Sequence, residues 1–146
     1  ETGATGPPFS AAFADIAKIG SQTVVSNAAV TFTNIQASQN INFTGSDTLT
    51  IVDAGIYKLE FYISVAAGGT APIVFSFEIN GNNTNQRAMG VSVTSGGIIS
   101  NALISNLGPG VTLRVVNVSA TSVSIPDVAV GPQARQSARF VVYRIF

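Results

Sequence analysis

The 146-residue chain carries seven acidic and seven basic side chains that cancel, so only 10% of it is charged while 46% is hydrophobic. One domain is expected, large enough to bury a core without staples, and the sparse charge leaves no basic face to hold phosphates, which excludes nucleic acid as an expected partner. The absence of Cys and His removes disulfides, thiol chemistry and the commonest catalytic base.

Residues 1–8 read Glu-Thr-Gly-Ala-Thr-Gly-Pro-Pro, with Gly3 and Gly6 in phase and Phe9 where the next glycine would fall. That is the end of a collagen-like tract, because only glycine fits the crowded axis of three polyproline-type strands and proline pre-sets the extended backbone. A plain Gly/Pro linker is the alternative; the break of phase where globular sequence begins favours the tract. The expected division is therefore 1–8 for the tract and 9–146 for a globular domain. No signal peptide is visible, as expected of a carboxy-terminal piece, and no apolar run approaches the roughly 20 residues of a membrane span.

Residues 10–20 place Phe13, Ile16, Ala17 and Ile19 at spacings a helix partly accepts, without a capping signal. Residues 22–35 give Val24-Val25, a turn at Ser26-Asn27 and an alternating strand from Ala29 to Ile35. Short strands at 40–44 and 48–52 flank the turn Gly45-Ser46-Asp47. Asp53-Ala54-Gly55 then opens the strongest element, residues 56–65. Tyr57, Leu59, Phe61, Ile63 and Val65 share one parity and make a wholly apolar face, with Ile56, Lys58, Glu60, Tyr62 and Ser64 on the other.

After a loop at 66–72, a strand over 73–80 sets Ile73, Phe75, Phe77 and Ile79 on one face, and Asn80-Gly81 predicts a tight hairpin turn. A polar loop or edge at 82–86 leads to strands at 89–94 and 98–107. The Gly108-Pro109-Gly110 turn leads on to strands at 111–118 and 122–125. Residues 126–138 read as loop. The closing strand, 140–146, sets Phe140 and Val142 opposite Arg139, Val141 and Tyr143. About ten short strands at roughly 8–12-residue spacing predict an all-β sandwich.

The acids Asp15, Asp47, Asp53, Glu60, Glu78 and Asp127 are scattered singly, so no metal site is expected, although Asp47 and Asp127 are turn acids that could meet in space. The hydroxyl residues have no His partner, nothing specifies burial of Lys18 or Lys58, and no carboxylate pair stands out. Neither an enzyme nor a cofactor is expected. Asn42, Asn82 and Asn117 head Asn-x-Ser/Thr triplets, which matter only where eukaryotic-type glycosylation acts. Mean hydropathy is +0.40, high for a surface that in a soluble monomer is about a quarter to a third charged; part of this surface is expected to be covered by other subunits.

Four pieces carry a resemblance: the Gly-x-Tyr-x-Leu-x-Phe pattern of Gly55, Tyr57, Leu59 and Phe61; Phe75-Ser76-Phe77-Glu78-Ile79-Asn80-Gly81; the strand, turn and strand of 103–116; and the closing Arg139-Phe140-Val141-Val142-Tyr143-Arg144-Ile145-Phe146. In this order they resemble the jelly-roll superfamily of complement and short-chain-collagen heads and tumour-necrosis-factor ligands. The resemblance implies two antiparallel sheets, with the first, central and last strands together on the inner one. Residues 10–20 become the first strand, with Phe13 in a core shared by Tyr57, Leu59, Phe61, Ile63, Phe75, Phe77, Phe140 and Val142. It also implies a homotrimer, in which the outer parity packs around a threefold axis through Lys58, Glu60, Tyr62, Arg139, Val141 and Tyr143, with Lys58 and Glu60 pairing across chains. Some heads of this type hold calcium near the apex; the scattered acids argue against it here.

The Gly-x-Thr phase at Thr5 resembles bacterial collagen-like proteins whose threonines accept sugars. The globular part is similar to the carboxy-terminal domain of the collagen-like glycoproteins on spores of bacilli. The function implied is a non-enzymatic trimerisation and tip domain of a surface filament, nucleating the triple helix on the spore surface, the exosporium. The alternative is a trimeric recognition module that binds a host or matrix ligand at its apex. Either reading places the protein outside the cell or on the cell or spore surface, with itself as partner.

Overall fold

In the computed structural model the described residues are Gly3, 10–92 and 94–146; of residues 1–8, expected to be a collagen-like tract, only Gly3 is among them, and Gly6 lies outside. Thirteen strands form among these residues: β1 (Phe13–Ile19), β2 (Gln22–Val24), β3 (Asn34–Gln39), β4 (Ile41–Thr44), β5 (Thr48–Ile51), β6 (Gly55–Val65), β7 (Ile73–Ile79), β8 (Ala88–Val91), β9 (Gly97–Leu107), β10 (Thr112–Asn117), β11 (Val123–Ile125), β12 (Val128–Val130) and β13 (Gln133–Arg144). The first sheet runs β3-β1-β13-β6-β9, with β12 added to one end of β13. The second runs β4-β5-β10-β7-β8, and β2 pairs with β11 at the side. All pairings are antiparallel. This is a jelly-roll sandwich with the first, central and last long strands adjacent.

The alternation of β6 decides the layering. Tyr57, Leu59, Phe61 and Ile63 are fully buried, as are Phe75 and Phe77 of β7 and Phe140 and Val142 of β13. Phe61 meets Phe77 across the sandwich with ring centroids 4.8 Å apart and tilted by 56°. Phe140 lies 6.1 Å from Phe77 and 6.0 Å from Phe32. Such tilted pairs add about 0.5–1.5 kcal/mol each beyond their buried area. Tyr57 is buried as well, and its hydroxyl donates to the Asp53 carbonyl at 2.7 Å, which satisfies its polar end at the margin of the core.

Gly55 is required by close approach. A Cβ there would stand 2.5 Å from Arg144 Nε and 2.7 Å from the Phe146 carbonyl oxygen, because the chain end folds over the start of β6, where Ile56 N–H donates to Phe146 and Ile145 N–H to Ile56. The start of β1 lies beside it: Arg144 N–H donates to Ala12. One end of the sandwich therefore holds the beginning of β1, the beginning of β6 and the end of β13.

Three expectations are corrected. Phe13 is only half-buried, because the core parity of β1 is that of Ala14 and Ile16; Phe13 pairs with Tyr143 and shares its outward face. The stretch 29–33 is a crossing segment. It makes a single bridge from Ala29 to Val116, and its N–H groups at Val30, Phe32 and Thr33 bond Val115, Ser46 and Ala17 in turn, so its hydrogen bonds are shared between sheets and the strand starts only at Asn34. Residues 126–138 are mostly a hairpin, β12 and the first part of β13, whose alanine and glutamine composition gives weak alternation. The turn at Asn80-Gly81 does form, with φ of 51° and 78° and reciprocal bonds between Ile79 and Asn82, but the ladder then stops, and β7 pairs with β8 only from Ser76↔Ala88.

Phe61→Ala is expected to cost about 3–5 kcal/mol of unfolding free energy, whereas Asn42→Ala, on an exposed position of β4, should change it by less than about 0.5 kcal/mol. Chemical denaturation measures both, and a Phe61 loss under about 1 kcal/mol would contradict the core assignment.

Candidate functional site: the outer face of the first sheet

Six residues singled out in the sequence come together on this face. The β13–β6 ladder sets Arg139 opposite Tyr62, Val141 opposite Glu60 and Tyr143 opposite Lys58, so they form three directly facing cross-strand pairs, the unit through which side chains on a sheet interact. On one flank β1 adds Asp15, opposite Val141, and Phe13. On the other, β9 sets Ser100, Ala102 and Ile104 opposite Tyr62, Glu60 and Lys58.

The charges of this face are already paired within one chain. Lys58 Nζ lies 3.2 Å from Glu60 Oε1, Tyr62 Oη donates to Glu60 Oε2 at 2.9 Å, and Arg139 forks onto both oxygens of Asp15 at 2.9 and 2.5 Å. Lys58 and Glu60 thus meet within one chain, since residues two apart on one strand share a face. The hydrogen bond to Glu60 raises the Lys58 pKa, with the Tyr143 phenol adding to it. The same carboxylate, and then desolvation, raises the Tyr62 phenol. Asp15 raises Arg139 in the same way.

Between the pairs the face is apolar and open. Ile98 is 67% exposed, Ile104 60% and Tyr62 43%. Tyr62 stands between a recess of about 260 Å³, walled by Ser64, Ile98, Gln136 and Arg139, and a shallower groove whose far wall is Met89 of β8. Among the described residues no three acidic side chains meet; Asp47 is engaged by Arg114 at 3.8 Å. Asn117 is fully buried and bonded to the Val24 and Thr121 carbonyls, so its triplet is a structural node with no accessible amide. Among the described residues no helix is long and apolar enough to cross a membrane.

The sequence pattern does not single out Asp15, Phe13, Ile98 or Ile104 as members of this face. For β9 a signal exists: Ile99, Leu103 and Leu107 lie on one parity and Ile98, Ala102 and Ile104 on the other, and a strand apolar on both parities is one covered on both faces. For Asp15 there is none, since its partner Arg139 is 124 residues away.

The order of strands and the aromatic core define a jelly roll. Among solved structures, the chain is similar to the globular domain of zebrafish complement 1qA protein (TM-score 0.69, 13% identity, 92% of this chain and 98% of that one). It is also similar to Eiger TNF from S. frugiperda (0.74, 12%, 93% of each) and to murine APRIL (0.59, 11%, 93% and 100%). At such identities the likeness is one of fold. No family model and no curated protein sequence matches the chain.

Glu60→Gln removes the carboxylate that holds the Tyr62 proton, so the Tyr62 phenol should ionise at lower pH than in the wild type, toward its ordinary value of 10.0. In linkage terms, a raised folded pKa contributes stability that is present below the unfolded value and is lost as pH rises through the folded one; the wild type should thus lose this contribution only above about pH 10. Phenolate absorbance during alkaline titration measures the shift, and identical curves for the two proteins would mean that Glu60 does not hold the proton.

Proposed function

We propose that this chain is a non-enzymatic trimerisation and tip domain of a collagen-like filament, displayed outside the cell on a bacterial spore surface. The observation that carries the reading is the outer face of the first sheet: Ile98, Ile104 and Tyr62 are exposed around charges already neutralised within the chain. Burial of such a face strands no unpaired ion, the circumstance that makes buried charge costly, and removes apolar surface worth about 25 cal/mol per Å². A face of this kind fits association with copies of itself.

The threefold arrangement rests on the glycine phase of Gly3 and Gly6, since a triple helix requires three chains to arrive together. Association of the heads sets chain number and register, and raises the effective concentration of the adjoining tracts so that the helix zips away from the head. Lys58, Glu60, Tyr62, Arg139, Val141 and Tyr143 are the proposed contact residues, with Phe13, Ile98 and Ile104 added by the geometry.

Light scattering after gel filtration should give three times the 15.0 kDa chain mass. Tyr62→Asp sets three like charges close to a shared axis and should dissociate the assembly or prevent its folding, whereas Asn42→Asp on the opposite sheet should remain trimeric. A stable wild-type monomer would refute the reading; an unaffected Tyr62→Asp trimer would move the contact to another face.

A further inference from the structure

The last stretch of the first sheet leaves the sandwich. Residues 133–135 of β13 pair only with β12 among the described residues, and 129–136 are exposed throughout, Val130 to 71%. A two-stranded hairpin with nothing packed on it is marginally stable in water, so this ribbon needs a cover that the described residues of its own chain do not provide.

The direction in which it leaves is built in. The β1–β13 register jumps from Lys18↔Ala138 to Ile19↔Gln136, which makes Ser137 a bulge. Its hydroxyl donates to the Gly20 carbonyl at 2.6 Å in a nearly solvent-free setting. Bulges bend a strand and re-aim its continuation. Beyond this one, Gln136 walls the same recess as Arg139 and Tyr62, so by alternation Ala134 and its partner Ala129 continue the outer face as a flat strip of small side chains. At the same end of that face stands its most exposed apolar side chain, Ile98 on β9. Strand β6 lies between β9 and β13, so a chain's ribbon does not cover its own Ile98.

We infer that in the trimer each ribbon lies over the β9 end of the neighbouring copy, with the neighbour's Ile98 seated against Ala129 and Ala134. A second copy is the occupant because β13, whose residues Arg139, Val141 and Tyr143 lie in the proposed interface, continues through the Ser137 bulge into the ribbon and carries it to the same neighbour. The shapes agree as well: a projecting isoleucine meets a strip without bulk. The inference rests on the trimer reading and adds an exchanged arm that closes the end of the head away from the collagen-like tract.

The chain has no cysteine, which permits a clean test. Within one chain β6 separates position 98 from β13, and position 134 lies beyond the end of the β13–β6 ladder at Ala138, so the two stand more than two ladder spacings apart, over roughly 10 Å, beyond the roughly 7 Å between Cα atoms that a disulfide spans. Under mild oxidation the full chain carrying both Ile98→Cys and Ala134→Cys should run at two and three times the chain mass on a non-reducing gel. Each single variant should not. A wild-type trimer whose double variant stays at monomer mass overturns the exchanged arm and leaves the trimer standing; a wild-type monomer overturns both. Independently, Ala134→Glu should lower the melting temperature of the trimer and Asn42→Glu should not, and equal shifts would count against the arm.

Discussion

The contact of Phe61 with Phe77 is what the rest of the molecule depends on. It joins the central strand of one sheet to the central region of the other, and because side chains alternate with period two, turning Phe61 inward also turns Lys58, Glu60 and Tyr62 outward. A slip of one residue would bury those three and expose Leu59 and Ile63. The adjacent Phe140, held in register with Phe61, imposes the same parity on β13 and so aligns Arg139, Val141 and Tyr143 beside them. Core packing and the composition of the outer face are thus one constraint seen from two sides.

The two outer faces solve the problem of low charge differently. On the second sheet, Asn42 and Thr112 flank Thr50 across adjacent strands and Arg114 is forked onto a nearly buried Glu78; hydroxyls and amides supply the hydration that charges supply elsewhere. On the first sheet the charges are spent on each other, and isoleucine and tyrosine fill the space between them. The high mean hydropathy of the chain is therefore not evenly spread, and its excess lies on one side.

Strong alternation makes the layering legible: β6, β7 and the end of β13 can be read with their faces because large apolar and polar residues strictly alternate in them. Where alternation is weak, the pattern misleads. The resemblance sets Phe13, the largest residue of its strand, inward, yet Ala14 and Ile16 are the residues that join the core. The ribbon of β12 and β13 is built of valine, alanine and glutamine around Gly131-Pro132, which reads as loop. The two ion pairs divide in the same way. Lys58–Glu60 is visible as a neighbour pair, but its closure within one chain is a matter of side-chain reach, and Asp15–Arg139 is purely a product of topology.

The placement of the two chain ends has a mechanical consequence. Strand β1 enters the sheet beside the exit of β13 and is held by β13 along its whole length on one side and by β3 over Phe13 to Ala17 on the other. A force applied to Phe13 along the axis of β1 loads the hydrogen bonds of both ladders together, in shear. Pulled across its axis instead, the strand would open one bond at a time, as a zip does. The sheet therefore resists extraction of its first strand far better along the strand than across it.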